Sequence, residues 1–181
     1  MNFEEKTLKR NEIYNGKILS LHVDDIELPN GERAIREIVE HSGGVCVAAI
    51  TENNELFFVR QYRYPYKKVL LELPAGKLEK GENPLEAGMR ELEEECGIVA
   101  EKVISMGTVY PTVAYCSEII YLFAAKGLSH TAQHLDKDEF LDYEKISIEK
   151  AAEMVMNGEI SDSKTAVLVL KLHNLIKENK I

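Results

Sequence analysis

The stretch from Gly76 to Ile98, GKLEKGENPLEAGMRELEEECGI, predicts one amphipathic helix. Asn83 is a good N-cap, and Pro84 suits the first helical position because the missing N–H would have no partner there anyway. Gly97 is a typical residue to end the helix. Apolar residues at spacings of four, three and four share one stripe that should face a core: Leu85, Met89, Leu92 and Cys96.

Acidic residues flank this stripe. At the helical rotation per residue, Glu91 and Glu95 fall about 40° apart and Glu94 about 60° from Glu91, whereas Glu93 points to the opposite flank. Like charges one turn apart repel, so helix packing alone does not favour this arrangement. One interpretation is a solvated acidic face. The other is a site for a hard divalent cation, Mg²⁺ or Mn²⁺, held by carboxylate oxygens.

The spacing favours the metal site. The stretch fits the pattern G-x5-E-x7-R-E-U-x-E-E-x-G-U, in which U is a bulky aliphatic residue. All nine defined positions match: Gly76, Glu82, Arg90, Glu91, Leu92, Glu94, Glu95, Gly97 and Ile98. This pattern resembles the Nudix hydrolase family. The resemblance implies an α/β fold, namely an α/β/α sandwich with a mixed β-sheet, and hydrolysis of a diphosphate bond with Mg²⁺ as cofactor and Mn²⁺ as a substitute.

The resemblance also assigns roles. It implies that Glu91, Glu94 and Glu95 are metal ligands, together with the backbone carbonyl of Ala75, and Glu94 is counted as catalytic as well. Two further residues of the pattern, Arg90 and Glu82, are expected to form a structural ion pair, and Gly76 and Gly97 to adopt unusual torsions. The general base should come from a late loop that contains Asp136, Asp138 and Glu139, of which we predict Glu139.

Three other segments are similar to the ADP-ribose pyrophosphatase branch of the family: REIVEH at 36–41, RQYRYP at 60–65 and ELPAGK at 72–77. The similarity implies that Arg63 reaches the substrate phosphates. It also implies that Arg36 and Glu37 contact the substrate, often across a domain-swapped dimer. The alternative for both arginines is a surface ion pair. Tyr62 and Tyr66 could stack on adenine or belong to the core.

The branch often carries P-x-P-G-Y after the helix, whereas this chain has Pro111-Thr112-Val113-Ala114-Tyr115. The substrate therefore stays open. The leading hypothesis is hydrolysis of ADP-ribose, or a related nucleoside diphosphate sugar, to AMP and ribose 5-phosphate. The alternatives are another substrate, such as NADH, another nucleotide sugar or an oxidised nucleotide, and a non-catalytic ADP-ribose-binding sensor. A sensor tends to lose the metal carboxylates, and this chain keeps them.

Composition limits the partners. The chain has 181 residues and a net charge of −9, which argues against nucleic acid because phosphate contacts need clustered basic residues. It has no apolar run of about 18 residues that could span a membrane. Its three cysteines are widely spaced and suit a cytoplasmic protein with reduced thiols.

Two regions are expected. Residues 1–41 predict a strand-rich segment with a hairpin, Ile18–Leu28 and Arg33–Glu40, around the turn Pro29-Asn30-Gly31. An isolated hairpin is marginal, so it should pack on the main domain or on a second subunit, which favours a homodimer. Residues 42–181 form the hydrolase domain. Within it, residues 126–137 predict a polar loop, and Ser161 or Asp162 should begin the last helix.

Overall fold

The computed structural model describes residues 2–135, 137 and 139–181. This part of the chain divides into two compact units. The first contains the residues up to Gly43 together with Tyr110–Ile119, and the second contains Gly44–Val109 together with Ile120–Ile181. None of the described helices is long and apolar enough to cross a bilayer.

The first unit is built on a three-stranded antiparallel sheet, with strands β1 (Lys6–Asn15), β2 (Leu19–Glu27) and β3 (Arg33–His41) in that order. The predicted hairpin is β2 and β3, and Gly31 takes the positive φ of 84° that its turn requires. The appendage is larger than the predicted hairpin because β1 pairs with β2. Strand β1 was missed because it is exposed along almost its whole length and shows no apolar alternation.

The second unit contains ten elements in chain order: β4 (Gly44–Ala49), β5 (Glu55–Arg63), β6 (Lys68–Glu72), β7 (Ala75–Lys77), α1 (Pro84–Cys96), β8 (Ile98–Val109), β9 (Ile120–His130), β10 (Leu141–Ser147), α2 (Ile148–Met156) and α3 (Ser163–Lys177). One sheet has the order β7-β4-β9-β8, and another has the order β10-β5-β6. Strands β4 and β9 are parallel while their other neighbours are antiparallel, so the predicted mixed sheet is confirmed.

Strand β4 lies at the centre of this unit, and all six of its residues are buried. Because side chains alternate across a strand, Val45 and Val47 pack in one apolar cluster with residues of α1. Cys46 and Ala48 pack on the other side with residues of α2 and α3. Helices therefore cover both faces, which explains why β4 is continuously apolar rather than alternating, and the expected α/β/α arrangement is confirmed.

Two details differ from the sequence predictions. The polar loop expected at residues 126–137 begins later, because β9 continues to His130 and pairs with the start of β8. Those last strand residues are mostly exposed, so their polarity resembles a loop. The stripe of α1 also differs, since Leu85 is exposed and the buried face begins at Ala87. The three cysteines are free thiols, as predicted.

Candidate active site

Helix α1 is fixed at both ends by the residues that the sequence indicated. The Asn83 side chain accepts a hydrogen bond from the backbone N–H of Leu85 at 2.9 Å. Gly97 adopts a left-handed conformation with φ of 61°, and its N–H donates to the carbonyl of Glu93. This anchoring places Glu91 and Glu95 on the buried side of the helix, where they are only 8% and 2% exposed.

Gly76 packs directly against Glu91. A Cβ atom built on Gly76 would lie 1.9 Å from the carboxyl carbon of Glu91, far inside van der Waals contact. The expectation of an unusual backbone torsion is correct for Gly97, which has a positive φ. It is wrong for Gly76, whose φ is not positive. The chain needs glycine at position 76 because the carboxylate occupies the space of a side chain.

Burial makes the carboxyl groups of Glu91 and Glu95 weaker acids than usual. It raises the pKa of Glu95 to about 8, against the opposing effect of a hydrogen bond that its Oε2 accepts from the N–H of Ala75 at 3.0 Å. Burial also raises the pKa of Glu91 above its ordinary value. The charges of Glu91 and Glu139 raise the pKa of Glu95 further. A cation placed among these groups would relieve both effects.

Arg90 neutralises part of this charge. Its guanidinium contacts Glu82 at 3.1 Å, Glu91 at 2.9 Å and Glu94 at 2.8 Å. Glu82 in turn accepts a hydrogen bond from the N–H of Glu79, which fixes the loop before the helix. The predicted ion pair between Arg90 and Glu82 is therefore present, and it extends to the acidic side of the helix.

The chemistry of these residues fits a hard divalent cation. Carboxylates and a backbone carbonyl are the ligands that Mg²⁺ and Mn²⁺ prefer. In residues 2–135, 137 and 139–181, no three acidic, histidine or cysteine side chains converge as they would around a bound ion. Arg90 holds Glu94 and the Ala75 amide holds Glu95, so the side chains are engaged with protein partners instead.

Glu139 lies near the two buried carboxylates. It is partly buried, and its charge raises the pKa of both Glu91 and Glu95. The general-base role of Glu139 stays a prediction, because a general base must lie within hydrogen-bond reach of the attacking water. The other two acids considered for that role, Asp136 and Asp138, lie outside the described residues.

Arg63 belongs to a buried ionic network that the sequence did not indicate. Its Nε and Nη2 donate to the two carboxylate oxygens of Glu72, each at 2.7 Å. Glu72 is only 1% exposed and also accepts a hydrogen bond from Lys164. Burial acts to raise the pKa of Glu72, but the bond from Arg63 and the charge of Lys164 outweigh it and lower the pKa below its ordinary value. The sequence signals were the family-like segments that contain Arg63 and Glu72, but neither of them indicates that the two residues form a pair.

This network is close to the acidic helix. The charge of Glu95 raises the pKa of Arg63, and the charge of Arg63 in turn opposes the rise in the pKa of Glu95. Arg63 keeps about a third of its side chain exposed. Tyr62 and Tyr66 are 54% and 70% exposed, which excludes the interpretation that they belong to the core.

The remaining two predicted site residues lie in the first unit. Arg36 on β3 is partly buried, and its Nε donates to Glu5 at 2.9 Å. This contact is an ion pair, which was the alternative role considered for Arg36. Glu37 follows it on the same strand and is exposed.

Replacing Glu72 with glutamine should destabilise the second unit by about 3 kcal/mol, because removing one member of a buried ion network leaves the other charges unpaired. The lowered pKa of Glu72 adds a pH dependence. A depressed carboxyl pKa stabilises the fold above the unfolded value and loses that contribution as pH falls through the folded value. Urea unfolding from pH 7 to pH 3 should therefore show a smaller acid-dependent loss for Glu72→Gln than for the unsubstituted protein.

The matched control for this prediction is Glu153→Gln. Glu153 pairs with Lys150 at 2.9 Å, but both side chains are exposed, so the loss should stay below about 1 kcal/mol. Equal effects of the two substitutions would contradict the argument from burial.

The fold and this site define the class of protein. A helix-covered mixed sheet presents a capped acidic helix beside a glycine that accommodates one of its carboxylates. A NUDIX domain model matches residues 40–166, and a model of the nucleoside diphosphate sugar hydrolase N-terminal domain matches residues 5–39. The chain belongs to the Nudix family and is a Nudix hydrolase.

Individual relatives extend this result over nearly the whole chain. The chain is 45% identical to a methanol dehydrogenase activator of Bacillus methanolicus, with 97% of each protein covered. It is 40% identical to an ADP-ribose pyrophosphatase of Bacillus subtilis, with 98% of each covered. A solved structure of an ADP compounds hydrolase covers all of both chains with a TM-score of 0.86 at 18% identity, which supports the fold.

Proposed function

We propose that the chain is a Mg²⁺-dependent pyrophosphatase that hydrolyses ADP-ribose to AMP and ribose 5-phosphate. The observation that carries the proposal is a pair of buried carboxylates with the Arg63 charge nearby: Glu91, which packs against Gly76, and Glu95, which binds the N–H of Ala75. Buried anions of this kind are suited to a cation and a diphosphate. The 40% identity to an ADP-ribose pyrophosphatase over 98% of both chains supports the choice of substrate.

In this proposal Glu91, Glu94 and Glu95 hold the cation, with the carbonyl of Ala75 as a further ligand. When bound, Mg²⁺ supplies neutralisation of the charge that develops on the diphosphate. Arg63 binds a phosphate oxygen. Glu139 accepts a proton from the attacking water, and the water oxygen forms a new P–O bond to the adenosyl phosphorus, which gives AMP. The bond from that phosphorus to the bridging oxygen breaks, and the bridging oxygen leaves with ribose 5-phosphate.

The proposal extends to assembly and location. We propose that the N-terminal sheet contributes to a homodimer in which Arg36 and Glu37 contact the substrate, as the resemblance to the ADP-ribose pyrophosphatase branch implies. Multi-angle light scattering should give about twice the chain mass of 20.5 kDa, and a monomer would contradict the dimer. Three free cysteines support a reducing, cytoplasmic location.

The test of the activity is phosphate-coupled turnover on ADP-ribose, other nucleoside diphosphate sugars and NADH, with and without Mg²⁺. We expect turnover mainly on ADP-ribose, and we expect this turnover to be lost when a chelator removes the Mg²⁺. Turnover mainly on another nucleoside diphosphate sugar or on NADH would support the hydrolase activity but contradict ADP-ribose as the substrate. Binding of ADP-ribose without turnover would contradict the enzymatic function and favour a non-catalytic sensor.

A second candidate function is activation of an alcohol dehydrogenase. It is favoured by the 45% identity to the methanol dehydrogenase activator over 97% of each chain. The test is the rate of methanol oxidation by a methanol dehydrogenase with and without the protein. Adding the Glu95→Gln variant in parallel shows whether activation needs the hydrolytic site. An unchanged rate with the unsubstituted protein would contradict this function.

A further inference from the structure

Lys164 is a buried cation in the first turn of α3. The helix is capped by Asp162, whose side chain accepts from the N–H of Thr165 at 3.0 Å. Lys164 is 8% exposed and pairs with both Glu72 and Asp162. Lysine is almost never buried without a partner, because removing an ammonium group from water is costly. The chain therefore retains a costly group at this position.

The contacts of Glu72 show what this group does. Glu72 receives Arg63 on both of its oxygens, and Lys164 binds the same Oε2 that accepts from Arg63 Nη2. A carboxylate held by a second cation cannot rotate freely out of the plane in which it meets the guanidinium fork. Among the described residues, the ion-pair partners of Lys164 are Glu72 and Asp162 rather than Glu91 or Glu95, so its effect on the acidic site passes through Glu72 and Arg63.

A neighbouring contact makes this arrangement rigid. The hydroxyl of Thr165, which is fully buried, accepts a hydrogen bond from the N–H of Leu73 at 2.9 Å. Two consecutive residues of α3, Lys164 and Thr165, thus bind the last residue of β6, Glu72, and the residue that follows the strand, Leu73. The start of the helix and the end of the strand are therefore joined as one unit.

We infer that Lys164 is a positioning residue for substrate binding: it fixes Glu72, and Glu72 fixes the guanidinium of Arg63 for the substrate phosphate. The inference rests on the proposed role of Arg63. An ion pair of purely structural importance would stabilise the fold without setting the affinity for the substrate. The two roles therefore differ in their effect on KM.

The test compares Lys164→Met, which removes the charge, with Lys164→Arg, which keeps it. Lys164→Gln is made alongside, because its amide can still donate to Glu72 if the methionine variant does not fold. KM and kcat for ADP-ribose hydrolysis are measured with Mg²⁺, and circular dichroism confirms folding. We expect KM to rise about tenfold in Lys164→Met and by a smaller factor in Lys164→Gln, with kcat changed less than about threefold in both, and Lys164→Arg to restore most of the affinity.

The matched control is Lys150→Met, which also removes a helical lysine from an ion pair, in this case an exposed one. It should leave both kinetic constants unchanged. A folded neutral Lys164 variant with unchanged KM would overturn the inference, as would an equal change in Lys150→Met.

A double substitution separates this inference from the proposed function. If Lys164 acts through Arg63, removing the charge of Lys164 in an Arg63→Ala background should not raise KM further. If the two residues act independently, the two increases in the free-energy equivalent of KM should add. An additive increase would overturn the inference alone. An unchanged KM in Arg63→Ala by itself would instead contradict the role of Arg63 in the proposed function, and the inference would fall with it.

Discussion

Replacing Glu95 with glutamine should lower kcat for Mg²⁺-dependent hydrolysis by about 100-fold, equivalent to about 2.7 kcal/mol of transition-state stabilisation. The amide has nearly the same shape but cannot supply an anionic ligand. Glu95 is 2% exposed, and its Oε2 accepts from the N–H of Ala75. The amide oxygen can keep that bond, so the helix should stay in place.

The same substitution should not destabilise the protein. Burial already disfavours the charged form of Glu95 and raises its pKa to about 8, so removing the charge relieves a cost of folding in the absence of metal. Thermal unfolding with chelator should therefore give a Tm that is equal to or above that of the unsubstituted protein. A large loss of Tm would mean that the side chain has a mainly structural role.

Glu93→Gln is the control on the same helix. It changes the same chemical group two residues away, on the flank that faces away from the other carboxylates. Its kcat should stay within about threefold of the unsubstituted protein. Equal losses in the two variants, or full activity of Glu95→Gln, would contradict the metal assignment.

The second large effect is expected from Gly76→Ala. The added methyl group would lie 1.9 Å from the carboxyl carbon of Glu91, so the Glu91 carboxylate must move. A displacement of about 1 Å at a reacting site can cost about 100-fold in rate, and we expect kcat to fall by that order. Steady-state kinetics with a titration of Mg²⁺ should also show weaker activation by the metal.

Gly81→Ala is the matched control for this substitution. Gly81 lies in the loop before the same helix and has a positive φ of 82°, but a Cβ atom there would meet no described atom within 4 Å. It should cost about 1 kcal/mol of stability through backbone strain and leave kcat within a few-fold. If Gly81→Ala lowers kcat as strongly as Gly76→Ala, the loss reflects loop conformation rather than the position of Glu91.

Much of the site could be predicted because it is local in sequence. The caps Asn83 and Gly97 act within one helical turn, and the angles between Glu91, Glu94 and Glu95 follow from helix geometry alone. The buried strand β4 was also recognisable, since a strand covered on both faces must be apolar throughout. These features depend on neighbouring residues, which the sequence shows directly.

Other features arise from residues that are distant in the chain. Strand β1 forms because β2 offers it hydrogen-bonding partners, although its own side chains are mostly exposed and have no strand pattern. The exposed Leu85 is a second example. The sequence gives the period of the apolar positions along a helix, but it does not show how far the neighbouring strands cover that helix.

The sequence by itself determined the family pattern, the acidic helix, its caps and the order of strands and helices apart from β1. Only the tertiary structure decided that Gly76 makes room for a carboxylate and that Lys164 reaches Glu72 across 92 positions in the chain. The physical reason is that steric contact and charge pairing depend on distance in space. Local periodicity fixes which face a residue occupies, but the packing of β6 against α3 decides what it meets there.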